Sequence, residues 1–429
     1  MISFDLSNLY AVDKKHGMSE KDVMDPMQGI GHYMDKIKAR DQDFYKIVND
    51  DETVEQVMKY AESVQGKYES VVVLGIGGSS LGTICLRDSL GHLFGKTEGP
   101  RLHVLDNIDP SFIAELEDVI DLSSTLFIVV TKSGGTPETL SEFFYFRAKV
   151  EAAGLKPQDH FVMITDPEKG LLRKIVNEES FTAFDVPPKV GGRFSVLTPV
   201  GLVPAALIGI DIRALVAGAR EMRDLFLSEE VEENLPFQLA SIQEWMDHRG
   251  KPMHVLFPYS QKLIKLADWY RQLLAESIGK AKTDSGRETH IGITPLYALG
   301  VTDQHSQNQL YNEGPNDKFF MFIRVGKMGP KLEIPNPYPD EPAVEYLKNV
   351  DFECLMKTEM KGTMQSLIQN DRPSMVIDIP EVNETTLGQL FMLFEASIAF
   401  LGEFYNINAF DQPGVELSKN LTKQMLMPS

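Results

Sequence analysis

Val71-Val-Val-Leu-Gly-Ile-Gly-Gly-Ser-Ser-Leu-Gly82 decides the fold. Its first four residues are apolar and three are β-branched, which reads as a buried strand. The glycines that follow allow a tight turn, and the residues after Ser80 open a helix. The same order recurs downstream. Leu102-His-Val-Leu105, Thr125-Leu-Phe-Ile-Val-Val130, Phe161-Val-Met-Ile164 and Phe181-Thr-Ala-Phe184 are further strand candidates, separated by stretches of helical pattern. Strands alternating with helices of about 10–15 residues predict a parallel sheet covered on both faces, because each crossover helix lies over the sheet.

A second alternating block follows. Met253-His-Val-Leu-Phe257, Ile291-Gly-Ile293, Phe319-Phe-Met-Phe-Ile-Arg324 and Met375-Val-Ile-Asp-Ile379 are its strand candidates, and residues 264–278 its clearest helix. Residues 1–64 read as helices, with charged positions between spaced apolar ones. A helical tail runs from Thr385 to the end and breaks near Pro413. The seam between the two blocks is expected between Pro187 and Val203. The fold class is therefore α/β, with helical N- and C-terminal segments.

With 42 basic and 62 acidic residues, the formal charge is −20, which argues against a general nucleic-acid or anionic-membrane surface. A local cationic pocket for an anionic substrate remains compatible with that exterior. Cys85 and Cys354 stand in unrelated contexts and form no CxxC motif, as in a reduced compartment. The start Met-Ile-Ser-Phe-Asp-Leu lacks the pattern of a signal peptide. The most apolar stretches, 196–210 and 390–401, read as too short or too interrupted to span a bilayer. A cytoplasmic protein is expected.

Gly75-Ile-Gly-Gly-Ser-Ser-Leu-Gly82 carries the first candidate site. Glycines let a ligand approach the backbone, and the new helix's N–H groups, with the Ser79 and Ser80 hydroxyls, suit a phosphate. A dinucleotide fingerprint would need glycine where Ser80 stands. Gly78-Ser-Ser-Leu-Gly82 also matches a nucleophile elbow with Ser80 as nucleophile, and a tight turn without a ligand is the plainest alternative. Gly91-His-Leu-Phe-Gly-Lys-Thr97 is one residue short of an ATP-binding loop. Thr131-Lys-Ser-Gly-Gly-Thr-Pro-Glu-Thr139 repeats the first loop's chemistry: hydroxyls and glycines after a strand, then a helix opened by Pro137. Two such loops side by side, the second carrying Lys132, favour one shared anion site. The competing reading makes Thr136 only a helix cap.

Four further segments could do chemistry. Gly191-Gly-Arg-Phe-Ser195 sets Arg193 in a glycine turn, as a cation for a developing oxyanion or as a structural arginine. Gln272 and Glu276, four residues apart, share one helical face, and Glu276 stands among Leu273, Leu274, Ala275 and Ile278, surroundings that would make a carboxylate basic. The plain alternative is an ion pair from Glu276 to Lys280. His305 in Thr302-Asp-Gln-His-Ser-Gln307 is an acid/base or surface candidate, and the nine histidines include no HxH or HExxH metal motif. In Asp411-Gln-Pro-Gly-Val-Glu-Leu-Ser-Lys419, Gln412 and Lys419 are two helical turns apart, on a capped surface helix or facing a site.

Taken in order, Gly75-Ile-Gly-Gly-Ser79, Lys132-Ser-Gly-Gly-Thr136, Gly191-Gly-Arg-Phe-Ser195, Gln272 with Glu276, Gln304-His305-Ser306 and Phe410-Asp-Gln-Pro-Gly-Val-Glu-Leu-Ser-Lys419 resemble the glucose-6-phosphate isomerase family. The resemblance runs from about residue 70 to the C-terminus. It implies two sugar-isomerase (SIS) domains, each a mainly parallel sheet flanked by helices, over residues 65–190 and 191–384. A helical segment 1–64 would pack on the second domain, and a helical segment 385–429 would follow it. It implies a homodimer with a shared site, no metal, no cofactor, and reversible isomerisation of glucose 6-phosphate and fructose 6-phosphate in glycolysis and gluconeogenesis. The matching positions imply roles. Gly78, Ser79, Thr131, Lys132, Ser133 and Thr136 would bind the phosphate, and Gln272 and Gln412 the rest of the substrate. Glu276 would be the base, Arg193 the partner of the enediolate, and His305 and Lys419 the ring-opening groups, with the histidine supplied by the neighbouring subunit. The family usually has serine at position 131 and threonine at 135, where this chain has Thr131 and Gly135, so the loop keeps one hydroxyl and loses another. Rival readings are a dual isomerase that also accepts mannose 6-phosphate, a non-catalytic sugar-phosphate sensor, and a serine hydrolase built on Ser80.

Overall fold

A computed structural model describes residues 1–24, 29–97 and 99–427. These residues form twelve strands: β1 (Ser3–Asp5), β2 (Ser70–Leu74), β3 (Arg101–Leu105), β4 (Thr125–Val130), β5 (Phe161–Thr165), β6 (Thr182–Asp185), β7 (Met253–Pro258), β8 (Lys280–Lys282), β9 (Glu288–Ile291), β10 (Thr294–Tyr297), β11 (Lys318–Lys327) and β12 (Ser374–Glu381). Two five-stranded sheets result, ordered β3-β2-β4-β5-β6 and β1-β12-β11-β7-β10, with β8 and β9 as a separate antiparallel pair. The first sheet is parallel throughout. The second is parallel except for β1, which runs antiparallel to β12.

Every residue of β2 and β4 is buried, as a parallel sheet covered on both faces requires. Alternate residues enter different cores. Val71, Val73 and Ile128 join the large core, while Val72, Leu74, Phe127 and Val129 join a smaller one with Phe143, Phe146 and Phe161. The second sheet divides likewise, with Leu256, Met321 and Ile323 facing the large core and Val255, Phe257 and Phe322 a third. The large core therefore runs through both sheets and contains the helix Glu384–Phe404.

The strand expectations at 71–74, 102–105, 125–130, 161–164, 181–184, 253–257, 319–324 and 375–379 all fall on observed strands, with ends shifted by up to about three residues, and the helix is Ile264–Ile278. Three readings change. Ser3–Asp5 is a strand inside the segment read as helical, because three residues are too few to carry a period of two against their helical surroundings. The expected strand at 291–293 is a break: β9 ends at Ile291, β10 begins at Thr294, and Gly292 lies between. The apolar tail forms one 21-residue helix, Glu384–Phe404, long and apolar enough to cross a membrane, not a stretch too short to do so. Its most apolar window is 94% buried inside this protein, so its apolar surface serves the core.

Candidate active site

The loop after β2 and the loop after β4 leave adjacent parallel strands at the same sheet edge, the usual ligand edge of an open α/β sheet. In the first loop, Gly77–Ser79 forms a 3-10 turn ahead of the helix Leu81–Leu90. Ser80 is completely buried, with its hydroxyl donating to the Gly77 carbonyl at 3.1 Å. That removes it as a nucleophile, which must expose its oxygen, and as a phosphate donor. Ser79 is half-buried at the turn. Gly78 is required by close approach: a Cβ there would sit 2.4 Å from both the carbonyl carbon and oxygen of Gly192 and 2.7 Å from the Arg193 nitrogen. The first loop is thus seated directly on the Arg193 turn, and Gly77, at φ +60°, lies against the Gln272 amide.

In the second loop, Thr131, Ser133 and Thr136 converge. The Thr131 and Thr136 hydroxyl oxygens are 2.8 Å apart, and Ser133 Oγ is 3.4 Å from each. Thr136 occupies the N-cap of the helix Pro137–Ala152, yet its side chain makes no capping hydrogen bond. The hydroxyl faces the cluster, and the first helical N–H groups are left for another acceptor. Lys132 departs from expectation. Its ammonium donates to the Pro188 carbonyl at 2.7 Å and the Val190 carbonyl at 2.8 Å, and burial pushes its pKa below the ordinary lysine value. It ties the second loop to the segment leading into Arg193.

Arg193 is 4% exposed and occupies a 3-10 turn, Gly192–Phe194. Its Nε donates to Ser277 Oγ at 2.7 Å, and Nη2 donates to the Ala409 carbonyl at 2.5 Å and the Asp411 carbonyl at 3.1 Å. Nη1 donates to Gln412 Oε1 at 3.0 Å and faces Glu276 Oε2 at 3.4 Å. Burial lowers the Arg193 pKa, opposed by the charges of Glu276 and Asp411. The turn is held from below by three rings: Phe194 lies 5.2 Å from Phe410 between centroids, and Phe44 lies 5.4 Å from Phe194 and 5.8 Å from Phe410.

Glu276 belongs to the helix Ile264–Ile278, and its side chain is 34% exposed. Its Oε1 accepts from Gln272 Nε2 at 3.0 Å, as the four-residue spacing predicts. The apolar surroundings expected for it are only in part those of the carboxylate: Leu274 and Ile278 are buried roughly 160° around the helix, Ala275 is exposed, and only Leu273, three residues earlier, shares its side. Residues adjacent in a helix are turned about 100° apart, so its sequence neighbours are not its spatial ones. The alternative reading, an ion pair to Lys280, is not observed among the described residues. Lys280 donates to the backbone carbonyl of Glu276 at 2.7 Å, leaving the carboxylate open toward Arg193.

His305 ends the 3-10 turn Thr302–His305 and is exposed. Gln304 beside it anchors the turn, donating to Tyr259 Oη at 2.7 Å, Thr363 Oγ1 at 2.5 Å and the Glu359 carbonyl at 3.1 Å. Lys419 lies on the helix Glu416–Leu426 and pairs with Glu416 at 2.9 Å, with both side chains well exposed. Among the described residues, neither His305 nor Lys419 makes a hydrogen bond or ion pair to Arg193, Glu276 or Gln412. Three participants escaped sequence reading: Phe44, Ser277 and Lys280. Phe44 carries no local signal. Ser277 and Lys280 lie beside Glu276, but the spacing between Glu276 and Lys280 suggests a surface ion pair.

The sequence profile of the phosphoglucose isomerase family matches residues 24–428. A glucose-6-phosphate isomerase of Carboxydothermus hydrogenoformans is 44% identical over 383 residues, spanning 88% of this chain and 82% of that protein. The crystal structure of a hypothetical protein from Thermus thermophilus superposes with a TM-score of 0.90 at 34% identity, with both chains covered in full (100%). That of a glucose-6-phosphate isomerase from Chlamydia trachomatis gives 0.78 at 25% identity, covering 88% of this chain and 73% of that one. Both glycine loops, the Arg193 turn, the Glu276 helix and the segment 410–419 lie inside the matched span, and the chain belongs to the phosphoglucose isomerase family.

Proposed function

We propose that this protein interconverts glucose 6-phosphate and fructose 6-phosphate through a cis-enediol intermediate, the aldose–ketose step of glycolysis and gluconeogenesis. One observation carries the reading: the Glu276 carboxylate is partly open, oriented by Gln272, and faced by a buried guanidinium with one nitrogen pointing at it. A base next to a fixed cation is what moving a proton between adjacent carbons needs. Glu276 takes the proton from C2 of the open-chain aldose and returns it to C1, a contribution of about 10²–10⁴ in rate. Arg193 faces the oxygen on which negative charge develops. The skeleton is neither oxidised nor reduced overall, so the stoichiometry calls for no redox cofactor.

The phosphate is assigned to Ser79, the cluster of Thr131, Ser133 and Thr136, and the free N–H groups at the start of the helix Pro137–Ala152. The close approach at Gly78 keeps this end at a set distance from Arg193. Phosphate binding at a non-reacting end positions the substrate and offsets the ordering of the open chain. Lys132, held by two carbonyls, supports the loop and adds positive potential without direct contact. Gln412 is a substrate contact, and His305 and Lys419 deliver and remove the protons of ring opening. His305 is exposed and unconnected to its own chain's Glu276, which supports a homodimer whose site is completed by the partner subunit's His305. Free Cys85 and Cys354 and a charge of −20 suit the cytoplasm.

The test is a coupled assay with each sugar phosphate as substrate and mannose 6-phosphate as competitor. Turnover in both directions is expected. Tight binding of either sugar phosphate without turnover would replace the enzyme by a sensor.

A further inference from the structure

Lys280 is 7% exposed and closes the C-terminal end of the helix that carries Glu276. Its ammonium donates to the carbonyls of Glu276 at 2.7 Å and Ser277 at 2.9 Å, two of the carbonyls a helix end leaves without partners. Its third donor goes to the Asp411 carbonyl at 3.0 Å, with Asp411 Oδ1 at 3.7 Å. That carbonyl is the one Arg193 Nη2 also uses, at 3.1 Å. Two cations therefore share one acceptor, and their repulsion is offset by the carbonyl's partial negative charge and by the Asp411 and Glu276 carboxylates.

We propose that Lys280 is a positioning residue for the isomerisation: it clamps the Asp411 carbonyl to the end of the Glu276 helix and so sets how Arg193 faces the carboxylate. The proposal rests on the isomerase reading, because only there does the distance between Arg193 and Glu276 matter to a rate. With Ser277, Ala409 and Asp411 occupying Nε and Nη2, only Nη1 is left for Glu276, at the long distance of 3.4 Å. If the turn at 409–412 moved away, Nη2 would lose both acceptors. The guanidinium could then close a short two-pronged pair with Glu276, which stabilises the carboxylate and weakens it as a base. The charged groups facing Lys280 are Arg193, Asp411 and Glu276. Burial first, and Arg193 second, push its pKa down to about 8. Above that value the ammonium becomes an amine with one donor fewer, and the three-carbonyl clamp cannot be kept.

The experiment compares wild type with Lys280→Met across pH. The variant is expected to lose about 10–100-fold in kcat with KM changed less than about threefold, and to lack the alkaline fall in kcat that the proposal expects of wild type near pH 8. Unchanged kcat with the same alkaline limb overturns the proposal. If Lys280→Met does not fold, Lys280→Arg replaces it: a permanent cation should move the alkaline limb upward, and an unmoved limb overturns the proposal. Thermal unfolding of Lys280→Met, Arg193→Lys and the double variant reads the clamp without any turnover. The two losses should fall short of adding, because both act on one carbonyl, and additive losses overturn the clamp. Wild type inactive on both sugar phosphates would sink the isomerase reading by itself, while the unfolding cycle would still decide the clamp.

Discussion

Arg193 is 4% exposed and each of its three side-chain nitrogens has an acceptor, whereas His305 lies open on a short turn and Lys419, among the described residues, pairs only with Glu416 at the surface. The first region is assembled within one chain; the second makes no contact with it among the described residues. The difference follows from what burial costs. A guanidinium taken out of water must have all its donors met, so the fold has to supply Ser277, Ala409, Asp411, Gln412 and Glu276 around it. An exposed imidazole or ammonium is already hydrated and makes no such demand. The proposed proton-transfer centre is thus preorganised within one chain, while the proposed ring-opening groups would be brought in by the proposed dimer and the substrate.

The sharpest break of that contrast is at the base. Glu276→Gln keeps the Gln272 contact and should fold normally while losing roughly 10²–10⁴ in kcat. Near-wild-type turnover would remove the centre altogether. Next, Arg193→Ala should cost about 2.7–4 kcal/mol in transition-state stabilisation, read as a lowered kcat. It should also destabilise the protein by about 1–3 kcal/mol, because buried acceptors lose their donor. A rise in KM alone would make Arg193 a ground-state contact. Gly78→Ala forces a methyl against the Gly192 carbonyl and should cost about 1–3 kcal/mol in stability, measured by denaturant unfolding. A neutral result would mean that the loop and the Arg193 turn are not in fixed register.

On the exposed side, His305→Ala and Lys419→Ala should each change stability by less than about 0.5 kcal/mol while lowering kcat. Mixing Glu276→Gln with His305→Ala, each inactive by itself, then tests where the histidine acts. If the partner subunit's His305 completes the site, re-equilibrated mixtures should recover about one quarter of wild-type turnover, since half the dimers are mixed and each holds one intact site. No recovery would put His305 on its own chain's site.

Fold legibility followed burial on both faces. β2, β4, β5, β7, β11 and β12 are predominantly apolar runs, visible without partners, and all were expected near their observed positions. β1 and the pair of β9 and β10 were missed or misplaced, because short edge strands hold little apolar surface and take their register from neighbours. In the site, Gln272 and Glu276 were legible through one helical repeat, and the hydroxyls of 131–136 through their density in one loop. The commitment of Lys132 to the Pro188 and Val190 carbonyls was not, since both acceptors lie more than fifty residues away in the chain.

By itself, the sequence determined what is local: the strands, the helix periods, the glycine turns and the kinds of side chain each turn carries, all set by propensity and spacing within about ten residues. Tertiary structure alone decided which of those side chains meet. Ser80 is buried and Thr136 is not used as a cap; Lys280 holds carbonyls instead of a carboxylate; Phe44 props up a turn that begins some 150 residues later. Contacts of that separation are chosen by packing two sheets around one core, and no local pattern encodes them.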